Sequence, residues 1–393
     1  MMLMLMRLRV SSMTIILTSN IGLFTKKNIR LWRTRQVISF ICSRLMSVSR
    51  RQTNYGSINN KGYLNKVYQR IYILLVGYNY MIFKEQITNW QEWGDIFQSI
   101  PAFMPLIEYI FRIENIPFER VENLTPGTNA VFKVGNFVIK IFAPEESGID
   151  QTLDLQTELF STKRAIKLGI STPKFIANGV VKDKYHFAYL ITEHINGVEL
   201  NAAINKMTDN EKFAVGRKLR DICDKMNTPC KPFNGIDVIN DKGRYRRWDI
   251  YSESFKEERL AYIKSYNYGN NIFVHGDLCL DNILLTPDGE LYIIDFADAV
   301  LAPVIYEHAL LAYEFNFDSA LTQGYFYDYS TNDFIDMCFN GLLIHDFGGD
   351  IVTAHFGEPN IFHTLNDLKM AMKQKIKSDN VSLLTGDNEY VII

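Results

Sequence analysis

The clearest hydrophobic pattern is a pair of short apolar runs joined by a turn. Ile283-Leu284-Leu285 reads as a buried strand, Pro287-Asp288-Gly289 as a tight turn, and Leu291 to Ile294 as the returning strand. Upstream, Val138-Ile139 and Ile141-Phe142 flank a single lysine, Lys140, which predicts another strand. Leu155, Leu159 and Ile166 form an apolar stripe and predict a helix that also carries Glu158. Residues 84–115 read as two short helices broken at Pro101 and Pro105. Their Trp90, Trp93, Phe97, Phe103, Leu106, Tyr109 and Ile110 are available to pack on a neighbouring layer. Helical patterns follow around Asn201 to Met226. Residues 1–80 show no clean periodicity, and a polar tail follows about Lys377. There is no internal repeat.

The hairpin carries the chemistry. It is preceded by Val274-His275-Gly276-Asp277-Leu278-Cys279-Leu280-Asp281-Asn282 and followed by Asp295-Phe296. Asp277 and Asn282 share one loop, and the returning strand brings Asp295 back beside Asn282. A free aspartate, together with an Asn and an Asp that offer hard oxygens to Mg²⁺, is the minimal set for phosphoryl transfer to a hydroxyl. His275 reads as a structural loop histidine. Cys279 reads as a packing residue, since no phosphoenzyme is needed when Asp277 activates a hydroxyl.

The order H-G-D-x₄-N, hairpin, I-D-F resembles the aminoglycoside phosphotransferase and choline kinase group of small-molecule kinases. The resemblance runs from about Leu124 to about Leu311. Gly127-Thr128-Asn129-Ala130-Val131-Phe132-Lys133-Val134 resembles the family's short phosphate-covering loop, Lys140 its nucleotide lysine, and Glu158 that lysine's partner. Ser171-Thr172-Pro173-Lys174 resembles the loop after the helix. Leu190 to Gly197, with Thr192, Glu193 and Ile195, resembles the hinge. Pro303 and Tyr306-Glu307-His308-Ala309 resemble the helix start after the metal aspartate.

The resemblance implies an α+β, bilobal, protein-kinase-like fold, with a small β-rich N-lobe and a larger, mainly helical C-lobe. It implies Asp277 as the catalytic base and Asn282 and Asp295 as Mg²⁺ ligands. ATP or GTP would be held by Gly127, Asn129, Lys140, Glu158, Thr192, Glu193 and Ile195. The expected divisions are a basic extension over 1–80, an N-lobe with its preceding helices over 81–195, and a C-lobe over 196–393. Two departures separate the chain from protein kinases. Gly276 replaces the arginine of H-R-D, and Ala297 replaces the glycine of D-F-G. An Ala143-Pro144-Glu145 triplet precedes the metal aspartate and cannot close an activation segment. Protein-kinase activity and a catalytically silent nucleotide-binding module are the rival readings.

Charge sharpens the picture. Residues 1–80 hold 13 of the 42 Lys and Arg and none of the 44 Asp and Glu, so the rest of the chain has 29 basic and 44 acidic residues, a net of −15. Such an extension fits an organellar targeting segment or an over-extended start with Met81 as the initiator. The expected compartment is the cytoplasm, or an organelle if the extension targets it. Five scattered cysteines without a C-x-x-C pair predict neither a disulfide framework nor a zinc site. No run of 18 apolar residues occurs, so no transmembrane anchor is expected. No nucleic-acid partner is expected.

Between Ser265 and Leu368 there is no Lys or Arg, against 16 acids. The same span holds Tyr313, Phe315, Phe317, Tyr325, Phe326, Tyr327 and Tyr329. Carboxylates and aromatic faces suit a cationic hydroxyl acceptor; a solvated acidic face is the plain alternative. Lys242, Arg244, Arg246 and Arg247 form a basic loop, read as solvated surface or as a contact to phosphate or substrate.

Overall fold

The computed structural model describes residues 81–378 apart from 126 and 150. Both readings of residues 1–80, and the tail beyond residue 378, fall outside the described residues.

Two helices come first. α1 (Trp90–Ile96) is capped by Asn89, whose side chain accepts from the Glu92 N–H at 2.9 Å. α2 (Ile100–Glu114) begins at a Ser99 cap with Pro101 in its first turn. It runs unbroken through Pro105, against the predicted break. An interior proline removes one main-chain bond, at about 3 kcal/mol. Five buried residues on α2 outweigh that: Phe103, Leu106, Ile107, Ile110 and Phe111. Each contributes roughly 1.5–3 kcal/mol on burial. Among the described residues no single helix is long and apolar enough to cross a membrane; α1 and α2 reach that length only together, across an 86° bend. They pack instead on a sheet, with Phe103 against Phe132 and Phe187 at 5.6 and 6.3 Å.

That sheet is antiparallel throughout: β1 (Val121–Asn123), β2 (Ala130–Val134), β3 (Phe137–Ile141), β4 (Phe175–Lys182) and β5 (His186–Glu193), in the order β1-β2-β3-β5-β4. Its other face receives α3 (Thr152–Lys167), where Leu155 meets Phe142 and Leu190. The predicted stripe fails at its end. Ile166 is 47% exposed, because the last turn of α3 presents Ala165 to the C-lobe core instead. Two further contacts tie α3 to the C-lobe: Phe160 stacks on Phe233 at 4.6 Å, and Arg164 donates to Thr228 Oγ1 at 2.6 Å. The helix that carries Glu158 is therefore held by both lobes.

The C-lobe opens with β6 (Val198–Glu199), α4 (Leu200–Ile204) and α5 (Asp209–Met226), the last begun by a Thr208–Glu211 capping box. After α6 (Glu253–Ser265) and β7 (Ile272–Val274) comes the predicted hairpin, β8 (Ile283–Leu285) and β9 (Leu291–Ile293), in the register Ile283 to Ile293. β6 joins β8 at its other edge, and β10 (Val300–Ala302) pairs with β7. α7 (Ile305–Glu314), α8 (Ser319–Tyr325), α9 (Thr331–Ile344), α10 (Gly348–Phe356) and α11 (Leu365–Ser378) complete the lobe. The fold is α+β and bilobal, with a β-rich N-lobe and a larger, mainly helical C-lobe.

Candidate active site

The loop of Asp277 leaves β7 at Val274 and turns at Gly276, where φ is +85°. A Cβ there would overlap the Asp298 carbonyl oxygen. Glycine is thus demanded twice, by the left-handed backbone and by the close approach. Gly276→Ala is expected to destabilise the fold by about 2 kcal/mol or more. Denaturant unfolding measures this, and an unchanged midpoint would show that the loop relaxes freely.

The turn is clamped from below by Glu307, on the first turn of α7. Its two carboxylate oxygens accept from the N–H groups of His275 and Gly276, each at 3.0 Å. Asn227 adds a third donor at 3.3 Å. Glu307 is fully buried, and burial raises its pKa while these three donors oppose the rise. His275 is buried too. Its Nε2 meets the Ile294 carbonyl at 2.9 Å, its Nδ1 accepts from the Asp277 N–H at 3.4 Å, and burial pushes its pKa down to about 4. It is a neutral, buried spacer between the Asp277 loop and the residues that follow β9.

Asp277 and Asn282 are brought together. The Asn282 amide donates to the Asp277 carbonyl at 2.8 Å and to its carboxylate at 3.3 Å. The Asn282 carbonyl in turn receives the Ile294 N–H at 3.0 Å, which places Asp295 next to it. Burial first, then Asp298, Asp295 and Glu314, push the Asp277 carboxyl up to about 8 against the Asn282 donor. Asp295 sits in left-handed backbone, φ 59° and ψ 67°. Aspartate is one of the few non-glycine residues that adopt this region, at roughly 1–3 kcal/mol.

Lys140 closes the constellation across the lobes. Its ammonium lies 2.9 Å from Glu158 and 2.6 Å from Asp295. Burial disfavours its charge, but Asp295 and Glu158 outweigh burial and hold its pKa above the ordinary lysine range. Burial also disfavours the Asp295 charge, and Lys140 overrides that, lowering its pKa. The same lysine opposes the burial that raises Glu158.

The remaining predicted residues lie on the N-lobe sheet and the loops at its strand ends. Thr192 and Glu193 end β5, paired with Val138 and Phe137 on the strand that carries Lys140. Ile195 follows just beyond β5. The Glu193 carboxylate is turned to the Lys174 N–H at 3.1 Å. Gly127 and Asn129 lie on the loop between β1 and β2. Asn129 is buried, and its Oδ1 has no hydrogen-bond partner.

A model of the phosphotransferase enzyme family matches residues 127–337, from this loop through the hairpin and into α9. The chain belongs to that family. Solved structures with similar architecture include wild-type aminoglycoside 2'-phosphotransferase-IIIa as its GDP complex, at 15% identity over 72% of this chain and 98% of that one, with a TM-score of 0.47. The choline kinase LicA from Streptococcus pneumoniae is 18% identical over 69% of this chain and 98% of that one, with a TM-score of 0.45. A streptomycin-ATP ternary complex of APH(2")-IIa is 14% identical over 69% and 97%, with a TM-score of 0.47. No curated protein matches the chain.

The acceptor side of this phosphotransferase departs from the sequence reading. Tyr313, Phe315, Phe317, Tyr325 and Phe326 are core residues, at most 2% exposed. They line no open surface, and Tyr325 already faces the Arg220 guanidinium, 5.8 Å from its ring centroid. Tyr327 is exposed but already lies under the Arg217 guanidinium, 3.6 Å from its ring centroid, and Tyr329 bonds His308. Seven of the sixteen acids pair with cations from outside the span, Asp295 with Lys140 among them. Lys212 pairs with Asp318, Lys218 with Glu290, Arg220 with Asp328, Arg244 with Asp346, Arg247 with Asp350, and Lys369 with Asp336. The basic loop is therefore partly an inward clamp rather than free surface. Arg244 also donates to Tyr306 Oη at 3.1 Å.

Proposed function

We propose that this phosphotransferase moves the γ-phosphate of ATP or GTP, with Mg²⁺, to a hydroxyl of a small, amine-bearing acceptor. The observation that carries the reading is the junction at Lys140. One ammonium joins the N-lobe helix to Asp295 of the C-lobe, beside Asp277, which forms no salt bridge among the described residues. The donor set suits Mg²⁺: Asp295 offers a charged oxygen, and Asn282, whose amide nitrogen is spent on Asp277, offers its Oδ1. Among the described residues no three His, Cys, Asp or Glu side chains form a cage of their own. Mg²⁺ ordinarily takes one or two protein oxygens and completes its shell with phosphate and water.

Bound Mg²⁺-nucleotide supplies the phosphoryl group and spreads the charge of its transfer. The chain's own residues do the rest. Asp277 hydrogen-bonds the acceptor hydroxyl and takes its proton late. Glu307 holds the backbone that aims Asp277. Lys140, kept charged and oriented by Glu158, would hold the α- and β-phosphates. Gly127 and Asn129 would hold the phosphates from above, and the Thr192–Ile195 segment would hold the nucleobase. In loose phosphoryl-transfer transition states such positioning matters more than basicity.

The acceptor's charge is read from what remains unpaired. Asp281, Asp298 and Glu314 flank the loop of Asp277 and form no salt bridge among the described residues, so the field there favours a cation. Amine-bearing alcohols should therefore stimulate Mg²⁺-dependent nucleotide consumption more than their N-acetyl analogues, and added salt should narrow the difference. Equal turnover of both forms would sink the cationic acceptor while leaving the phosphotransferase reading untouched.

A further inference from the structure

Trp93 stands well before the phosphate loop in sequence, yet its side chain ends on that loop. The indole is 1% exposed, edge-on to Phe103 at 5.8 Å and beside Phe97 at 6.3 Å. Phe103 packs in turn on Phe132 of β2, the strand that the loop feeds. The mount is fixed at its start, where Asn89 caps α1 and Glu92 accepts from the Thr88 N–H and hydroxyl at 2.7 and 2.8 Å. From this position the Trp93 Nε1–H donates to the Thr128 carbonyl at 2.9 Å.

The bond has a directional consequence. The Thr128 carbonyl and the Asn129 N–H belong to one planar trans peptide and point opposite ways. Holding the carbonyl on the indole turns the Asn129 N–H away from it. The same residue carries the buried, unpartnered Oδ1. A loop whose peptide plane is fixed needs no reordering when an anion arrives. We propose that Trp93 is a positioning residue for nucleotide. Its indole N–H sets the Thr128–Asn129 peptide and so aims the donor that the loop presents to phosphate. This rests on the reading of Gly127–Asn129 as the phosphate loop.

Trp93→Phe keeps an aromatic ring in the cluster and removes the donor. Binding of Mg²⁺-ATP, Mg²⁺-GTP, adenosine and guanosine to the full chain is compared by calorimetry. The triphosphate that the wild type binds should weaken by about twofold to tenfold in the variant, the scale of one hydrogen bond. The matching nucleoside, which does not reach the loop, should bind as before. A merely structural role would weaken both alike. If Trp93→Phe does not fold, 3-benzothienylalanine at position 93 replaces the N–H with sulfur in nearly the same outline. Unchanged triphosphate affinity, or equal losses for triphosphate and nucleoside, overturns the role of Trp93 and leaves the nucleotide reading standing. A wild type that binds neither triphosphate nor nucleoside overturns the nucleotide reading, and this proposal with it.

Discussion

An Asp277→Asn chain should bind nucleotide as tightly as the wild type and turn over at least about a hundredfold more slowly, the usual scale for losing a positioned base. The same variant should be more stable than the wild type, by a margin that grows with pH. The Asp277 carboxyl is raised by burial, and by Asp298, Asp295 and Glu314, from 3.8 to about 8. Between those values the native state holds a proton that the unfolded state has released. Ionising Asp277 therefore erodes stability as pH rises through this window. A neutral amide has no such penalty and can still accept the Asn282 bond. Melting temperatures at pH 5 and pH 8 give the comparison. Undiminished transfer in Asp277→Asn contradicts the base assignment, and a gap that shrinks with pH contradicts the electrostatic one.

Asp295→Asn should remove most of the Mg²⁺-dependent part of nucleotide binding, weakening it at least about tenfold, or about 1.4 kcal/mol. Asparagine tolerates the left-handed backbone at this position, so the fold should persist. Lys140 would keep Glu158 as its counter-ion at 2.9 Å. What is lost is the charged oxygen beside Asn282. Thermal stabilisation by nucleotide with and without Mg²⁺ separates the two contributions. A variant that keeps the wild-type Mg²⁺ dependence would place the metal elsewhere.

What could be read in the sequence was local. Asp277, Asn282 and Asp295 lie on one contiguous loop and hairpin, so their meeting follows from strand pairing. Lys140 and Glu158 were legible from their order along the chain. So was their ion pair. The second pairing of Lys140, with Asp295, was not, because 155 residues separate that lysine from that aspartate. Glu307 was placed by motif, but its work is done on main-chain N–H groups, which leave no trace in residue type. The same holds for Trp93 and the Thr128 carbonyl.

The errors have physical causes too. The run from Tyr313 to Tyr329 counted aromatics without knowing which side of α7 and α8 faces the core. The basic loop looked free because the partners of Arg244 and Arg247 lie about 100 residues away, at Asp346 and Asp350. Pro105 was read as a break because local propensity was not weighed against the tertiary burial of α2.

Mass spectrometry of the acceptor gives the sharpest test of Mg²⁺-dependent transfer from nucleotide to a small hydroxyl with Asp277 as base. Wild-type chain and Asp277→Asn are incubated with Mg²⁺-ATP or Mg²⁺-GTP and a panel of amino alcohols and amino sugars. The wild type should place one phosphoryl group on an acceptor oxygen, none without Mg²⁺, and Asp277→Asn almost none. Phosphorylation of protein side chains alone, or nucleotide consumed only by water at the same rate in both chains, would contradict that transfer.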